Sequence, residues 1–251
     1  MQCLRPQPLH IPQTPDTTVP IKLEILAVEG LPEVQQDDDI AALIIQQATL
    51  LDGDVVVITQ KIVSKAEGAI AMVNPDDPLS HQPIVEQNST RILRRRGDLI
   101  ISETKHGFVC ANAGVDRSNL KPDQAAFLPD NPDHSAKRIR HNIKTQTNLD
   151  VGVIISDTFG RPWRRGVTDM AIGSAGIQPI LDLRGTSDAS GHQLQVTEIA
   201  IVDELAAAAE LVMGKAENIP VAIIRGVPAD WLGTGTIQSD LIRHPAADLF
   251  R

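Results

Sequence analysis

Tyrosine is missing from the 251 residues, and aromatics of any kind make up only 2%. A chain so poor in rings cannot build the base-stacking platform that single-strand nucleic-acid binders use. Positive charge is also short: 23 Lys and Arg against 32 Asp and Glu give a net charge of −9. With no basic stripe to offset it, a nucleic-acid partner is excluded. The one basic triplet, Arg94-Arg95-Arg96, is read as a helix end, its cations near the negative dipole terminus. Only two cysteines occur, Cys3 and Cys110, without CxxC spacing, which argues against a disulfide scaffold or a zinc site. Cys110 lies in an apolar run and is expected to be a buried thiol. No stretch of eighteen apolar residues exists, and the first residues lack the charged-then-apolar pattern of a secretory signal. The expectation is a cytoplasmic protein with no membrane partner. No internal repeat is visible.

What is present is ordinary globular material: 42% apolar and 22% charged residues, enough for a substantial core in one large domain or two small ones. Residues 1–18, rich in Pro, Gln and Thr, predict an extended arm, and residues 19–251 the folded domain. Residues 21–28 predict a strand, running into a bend at Gly30. Asp37-Asp38-Asp39 precede the helical spacing Ile40, Leu43, Ile44, and read as caps. Val55-Val56-Val57-Ile58 is a buried strand after the turn Asp52-Gly53-Asp54. Gln60, Lys61, Ser64 and Lys65 follow it directly, where cations and hydroxyls could hold phosphates, although the glycine spacing of a Walker loop is absent.

Residues 74–90 read as loop, then as helix towards residues 91–96. Residues 99–103 and 108–111 flank a tight bend in which His106 is a turn residue. A run of amides and an acid, Asn112 to Asn119 with Asp116, follows the second of these. Residues 120–133 predict loop. A helix capped by Asp133 or Ser135 is expected through about Asn148, another from Thr197 to a stop at Gly214, and a buried strand over residues 220–224.

The chemistry is expected in residues 154–169. Val151-Gly152-Val153-Ile154-Ile155 predicts a buried strand, ended at Ser156-Asp157-Thr158 by the coming Gly160 and Pro162. An acid and two hydroxyls at a strand end can offer oxygen ligands to a hard cation such as Mg²⁺. Arg161, Arg164 and Arg165 follow, with guanidinium forks that match phosphate or carboxylate oxygens. On the residues alone, a turn-capping Asp157 and a solvated arginine rim account for the pattern equally well.

Taken in order, the blocks form a resemblance. Ser64-Lys65-Ala66-Glu67-Gly68, Asn112-Ala113-Gly114-Val115-Asp116, Ser156-Asp157-Thr158-Phe159-Gly160-Arg161 and Ala171-Ile172-Gly173 are followed by Asp203-Glu204-Leu205-Ala206, Met213-Gly214 and Val221-Ala222-Ile223-Ile224-Arg225-Gly226. The set resembles the coenzyme F420-0:L-glutamate ligase (γ-glutamyl ligase) family over roughly residues 21–250. The wording around Asp157 is similar to the actinobacterial-type two-domain enzyme, whose C-terminal flavin-binding domain has no counterpart in this sequence.

The resemblance implies an α+β, mixed-sheet fold of two lobes in an intertwined homodimer, neither P-loop nor ATP-grasp. It implies GTP as co-substrate, L-glutamate and coenzyme F420-0 as the other partners, Mg²⁺ or Mn²⁺ bridging the phosphates, and K⁺ as a helper ion. Carried over residue by residue, Asp116, Asp157 and Thr158 match the metal ligands; Asp157, with Arg161, Arg164 and Arg165 read from the residues themselves as anion clamps, makes up the expected catalytic group. Leu31, Pro32, Glu33, Val34, Gln60, Lys61, Lys65 and Asn119 match nucleotide contacts, as does the turn Met213, Gly214, Lys215, Ala216, Glu217, Asn218, Ile219. Archaeal members can carry an acidic metal ligand where this chain has Gly214-Lys215, which bears on a second metal. The competing expectations are a metal-dependent carboxylate–amine ligase for another substrate, or a catalytically silent nucleotide-binding subunit.

Overall fold

Four consecutive β-branched residues, Val55 to Ile58, are wholly shielded from solvent. Because successive strand side chains point to opposite faces, burial of all four means both faces of their sheet are covered. The computed structural model in which they sit describes residues 21–249; the expected arm over residues 1–18 lies outside these.

In chain order the elements are β1 (Glu24–Ala27), α1 (Ile40–Gln47), β2 (Val55–Thr59), α2 (Gln60–Ala66), β3 (Ile70–Met72), α3 (Gln82–Gln87), β4 (Ser89–Arg96), β5 (Leu99–Thr104), β6 (Val109–Ala111) and β7 (Gln124–Ala126). They continue as α4 (Pro132–Thr147), β8 (Gly152–Arg161), β9 (Arg164–Ala175), β10 (Leu181–Asp182), β11 (Glu198–Ile199), α5 (Ile201–Met213) and β12 (Val221–Arg225). The main sheet runs β1-β12-β2-β8-β9, with β2 and β8 parallel and the other pairs antiparallel. It is the mixed sheet of an α+β protein. Helix α4 packs on β8 and β9, while α5 packs on β9, β12 and β1. Each fully buried Val or Ile side chain contributes roughly 1.5–3 kcal/mol of hydrophobic stabilisation. A smaller cluster around Val85, Ile100 and Val115 serves β3–β7 and the β4-β5-β6 sheet.

One buried acid is tied into this frame. Asp54, 1% exposed, accepts two bonds from the guanidinium of Arg225, at 2.9 and 2.8 Å, and one from the Leu51 amide at 2.8 Å. The pair joins the start of β2 to the end of β12; removing one partner of such a pair costs about 3–5 kcal/mol.

Several sequence expectations change. Residues 91–96 are strand β4, so Arg94-Arg95-Arg96 is not a helix end. Gly97, at φ 58°, opens the two-residue turn that lays Arg96 opposite Leu99, and cross-strand pairing overrides local preference. Within residues 120–133, β7 pairs with β3. Helix α4 is capped neither by Asp133 nor by Ser135: Asn131 accepts from the His134 amide at 3.0 Å, with Pro132 at the first helical position. Helix α5 starts at Ile201, after the short strand β11 occupies Glu198 and Ile199. Asp39 does cap α1, Gly214 does end α5, and Cys110 is a buried thiol.

The largest correction concerns residues 156–176. They do not leave the sheet at Ser156; β8 continues to Arg161 and returns as β9. Pro162 and Trp163 form the turn, the proline with its fixed negative φ and Trp163 at φ 57°. Gly160 is tolerated inside β8 because cross-strand bonds hold it.

Candidate active site

Strands β2 and β8 run in the same direction, and their register sets Thr59 beside Ser156. The next residues therefore emerge side by side at the carboxyl end of β2, where its parallel pairing with β8 stops: Gln60 and Lys61 on α2, Asp157 and Thr158 further along β8. Ligand sites in open α/β sheets favour this end. A register shift between Ile155 and Ser156 re-aims β8 just before the acid.

A cleft of about 380 Å³ opens here. One wall is Leu31, Pro32, Glu33 and Val34; the floor carries Lys61, Lys65, Ser118 and Asn119; the far side is Met213, Gly214, Lys215, Asn218 and Ile219, with Asp169 and Glu210. Twelve of the nucleotide-segment residues expected from sequence thus line one cavity. Gln60 does not; its buried carboxamide accepts from the Ser64 hydroxyl at 2.7 Å. Ala216 and Glu217 stand off the cleft wall, with Glu217 folded against Gly214.

Two of the lining lysines are shielded and paired. Lys65 Nζ donates to Glu33 at 2.6 Å and to the Asn119 carbonyl at 3.3 Å, bracing the first wall against the floor. Lys61 Nζ donates to Asp116 and to the Ser118 hydroxyl, both at 2.7 Å. Asp116 also accepts from the Ser118 amide at 2.8 Å and the Ser118 hydroxyl at 2.6 Å. Burial disfavours its charge, but the bonds from Lys61 and Ser118 outweigh that and hold its pKa below the usual carboxylate range.

Asp157 is the opposite case. Burial, then repulsion from Asp169 and Asp116, push its pKa up to about 7 against the pull of the Thr158 amide and Lys215. Asp169 is the residue that the sequence reading passed over. It is 3% exposed and stands opposite Thr158 on β9, accepting from the hydroxyls of Ser156 at 2.9 Å and Thr158 at 2.6 Å. Glu210, from α5, is also raised, by burial and by Asp169.

Carboxylate and hydroxyl oxygens are the ligand type that a hard cation takes. Among the described residues no three His, Cys, Asp or Glu side chains form a ready metal cage. Mg²⁺ bound through one or two carboxylates and completed by phosphate and water needs no such cage, and a cation would relieve the repulsion recorded at Asp157. Lys215, by contrast, already places its ammonium on the Thr158 hydroxyl and 3.9 Å from Asp169.

Arg161, Arg164 and Arg165 are not in the cleft. They sit at the β8–β9 tip, Arg161 and Arg164 facing each other across the turn, with the Arg161 guanidinium reaching the Arg165 carbonyl at 3.4 Å. Trp163 stands there 85% exposed.

Comparison with known proteins places the chain among its relatives. The chain is 44% identical over 250 residues to the coenzyme F420:L-glutamate ligase of Methanothermobacter thermautotrophicus, covering 91% of this chain and 99% of the relative. It is 42% identical to that of Methanocaldococcus jannaschii (92% and 97% covered) and 40% identical to that of Methanopyrus kandleri (91% and 99%). The relatives mark the chain as a ligase. The chain belongs to the F420-0:gamma-glutamyl ligase family, whose model matches residues 30–226.

Proposed function

We propose that the protein joins L-glutamate to coenzyme F420-0 at the expense of GTP, in coenzyme F420 biosynthesis. One observation carries the reading: near-full-length identity to several ligases of that name, with the nucleotide segments converging on a single cleft.

The chemistry follows from the substrates. An oxygen of the precursor's terminal carboxylate attacks the γ-phosphorus of GTP, the bridging bond to GDP breaks, and an acyl phosphate forms. The glutamate amine then attacks the acyl carbon, phosphate leaves with the C–O bond electrons, the amine loses a proton, and an amide remains. In this reading Lys61 and Lys65 hold the phosphates, Leu31 to Val34 and the turn after α5 enclose the nucleotide, and Asn119 ties the two together. Asp116, Asp157 and Thr158 would hold Mg²⁺ or Mn²⁺, which supplies charge neutralisation for phosphoryl transfer. A monovalent ion such as K⁺ is part of the same proposal. The arginines at the β8–β9 tip meet the anionic groups of precursor or glutamate. Subunits pair as an intertwined homodimer of two-lobed chains, which would cover Ile92, Leu93, Leu99 and Val109 on the β4-β5-β6 sheet.

No helix among the described residues is long and apolar enough to cross a membrane. The deciding experiment incubates the protein with GTP, Mg²⁺, L-glutamate and F420-0 and reads product mass. A gain of glutamate, faster with GTP than with ATP at subsaturating nucleotide, is expected. No glutamate adduct refutes the ligase reading; equal rates with both nucleotides refute the GTP preference.

A further inference from the structure

Lys215 has no counterpart to its position among ordinary surface lysines. It follows the positive-φ stop of α5 at Gly214, and its carbonyl is held by the Asn119 carboxamide at 3.3 Å, so the loop is pinned across the cleft. Its ammonium donates to the Thr158 hydroxyl oxygen. That oxygen is free to accept because its own proton is committed to Asp169, 2.6 Å away and buried. Asp169 Oδ1 itself is 3.9 Å from the ammonium. Asp157 and Glu210 also feel the Lys215 charge. A hydroxyl lone pair and the buried Asp169 carboxylate therefore face one cation, and that cation is a side chain.

We propose that Lys215 is a tethered cation: its ammonium takes one of the cation positions at the acidic end of the cleft, so the chain binds one divalent ion fewer there than it would with a neutral residue at 215. The inference rests on the reading of Asp116, Asp157 and Thr158 as a metal site. An ammonium delivers one charge and three donors without the dehydration a divalent ion must undergo. Held on a loop already fixed at Gly214 and Asn119, it supplies that charge at any free metal concentration. Thr158 is thereby divided: its proton faces Asp169, one lone pair faces Lys215, and the second is left for a metal.

The test counts ions without asking for turnover. Mn²⁺ is titrated into the nucleotide-free protein, with bound ion read by the loss of the free Mn²⁺ electron-spin signal. Wild type, Lys215→Met and Lys215→Arg are compared; Met keeps the apolar stem and removes the charge, and the side chain is exposed enough to be replaced without unfolding. The expected result is one more Mn²⁺ per chain in Lys215→Met than in wild type, with Lys215→Arg like wild type. An equal or smaller number in Lys215→Met, with ions bound to wild type, overturns the tethered cation and leaves the metal site standing. A gain in Lys215→Arg equal to that in Lys215→Met overturns it as well, since charge would then not be the cause. No Mn²⁺ on any of the three overturns both the inference and the metal reading beneath it.

Discussion

Lys61 and Asp116 are 55 residues apart in sequence, yet Nζ and Oδ2 meet at 2.7 Å, with Lys61 shielded and Asp116 half open to solvent. The lysine thus neutralises the carboxylate of Asp116, which stands behind the cleft lining, while the repelled Asp157 is left as the acid whose charge the fold resists. Lys61→Met should destabilise the protein at pH 7 by up to about 1 kcal/mol, since Asp116 is solvent-screened. Because the folded pKa of Asp116 is lowered, this stabilisation is present above the unfolded value near 4 and fades as pH falls through the folded one. Urea melts of both proteins at pH 7 and pH 3 should show the gap narrowing in acid; a constant gap would mean the loss is packing.

Asp157→Asn should abolish turnover while the protein folds. The raised pKa gives a second signature with the opposite sign. Between about pH 4 and pH 7 the native state holds a proton that the unfolded chain has released, so the metal-free wild type loses stability as pH rises through that window. The variant lacks this slope. Thermal melts from pH 4 to 8 that run parallel for the two proteins would contradict the assignment.

Lys65→Ala should weaken GTP binding about tenfold or more, the loss of one charge-assisted bond to phosphate, roughly 1.5–3 kcal/mol. The bond to Glu33 is largely exposed on the carboxylate side, so global stability should change by no more than about 1 kcal/mol. Calorimetric titration with GTP settles the first point and a urea melt the second; unchanged affinity makes Lys65 a brace for the wall and nothing more.

Single Ala variants of Arg161, Arg164 and Arg165 should include at least one with a clearly raised KM for the precursor or for glutamate. Their place at the β8–β9 tip, outside the cleft proposed to hold GTP, predicts unchanged GTP affinity in all three. Three sets of wild-type constants would reduce the tip to a solvated rim.

Gly173→Ala tests the frame behind the site. A Cβ there would lie 2.4 Å from the Pro132 carbonyl carbon and oxygen, backbone atoms that cannot swing aside. The start of α4 would have to lift from β9, at about 1–3 kcal/mol. A melting midpoint within a degree of wild type would show that the contact relaxes freely.

Much of the fold was legible because burial leaves a mark on composition. Val55 to Ile58 and Val221 to Ile224 are apolar runs that only a covered strand explains, and Ile139 and Ile143 carry the helical period of α4. The tip of the β8–β9 hairpin left no such mark. Its residues are polar, glycine and proline punctuate it, and only the pairing of Phe159 with Thr168 and Gly160 with Val167 makes it a strand. Asp169 was lost for the same reason: nothing near it in sequence says that Ser156 and Thr158 lie across from it. Lys61, Lys65 and Asp116 were readable because each closely follows a buried segment, whereas the bond between Lys61 and Asp116 depends on how α2 and the loop after β6 meet.

The position of β12 in the sheet sets a schedule for the growing chain. Among the described residues, strand β1 pairs only with β12, and the paired residues Glu24 and Arg225 are separated by nearly the whole described chain. Until Val221–Arg225 leaves the ribosome, β1 has no neighbour and β2 has one open edge. The cleft obeys the same timing, since its walls come from residues 31–34 and 213–220. Such distant pairings fold slowly and leave edges exposed meanwhile. A nascent chain halted before β12 should therefore remain protease-sensitive and unable to retain nucleotide, and GTP added during synthesis can act only on the last few dozen residues' worth of folding.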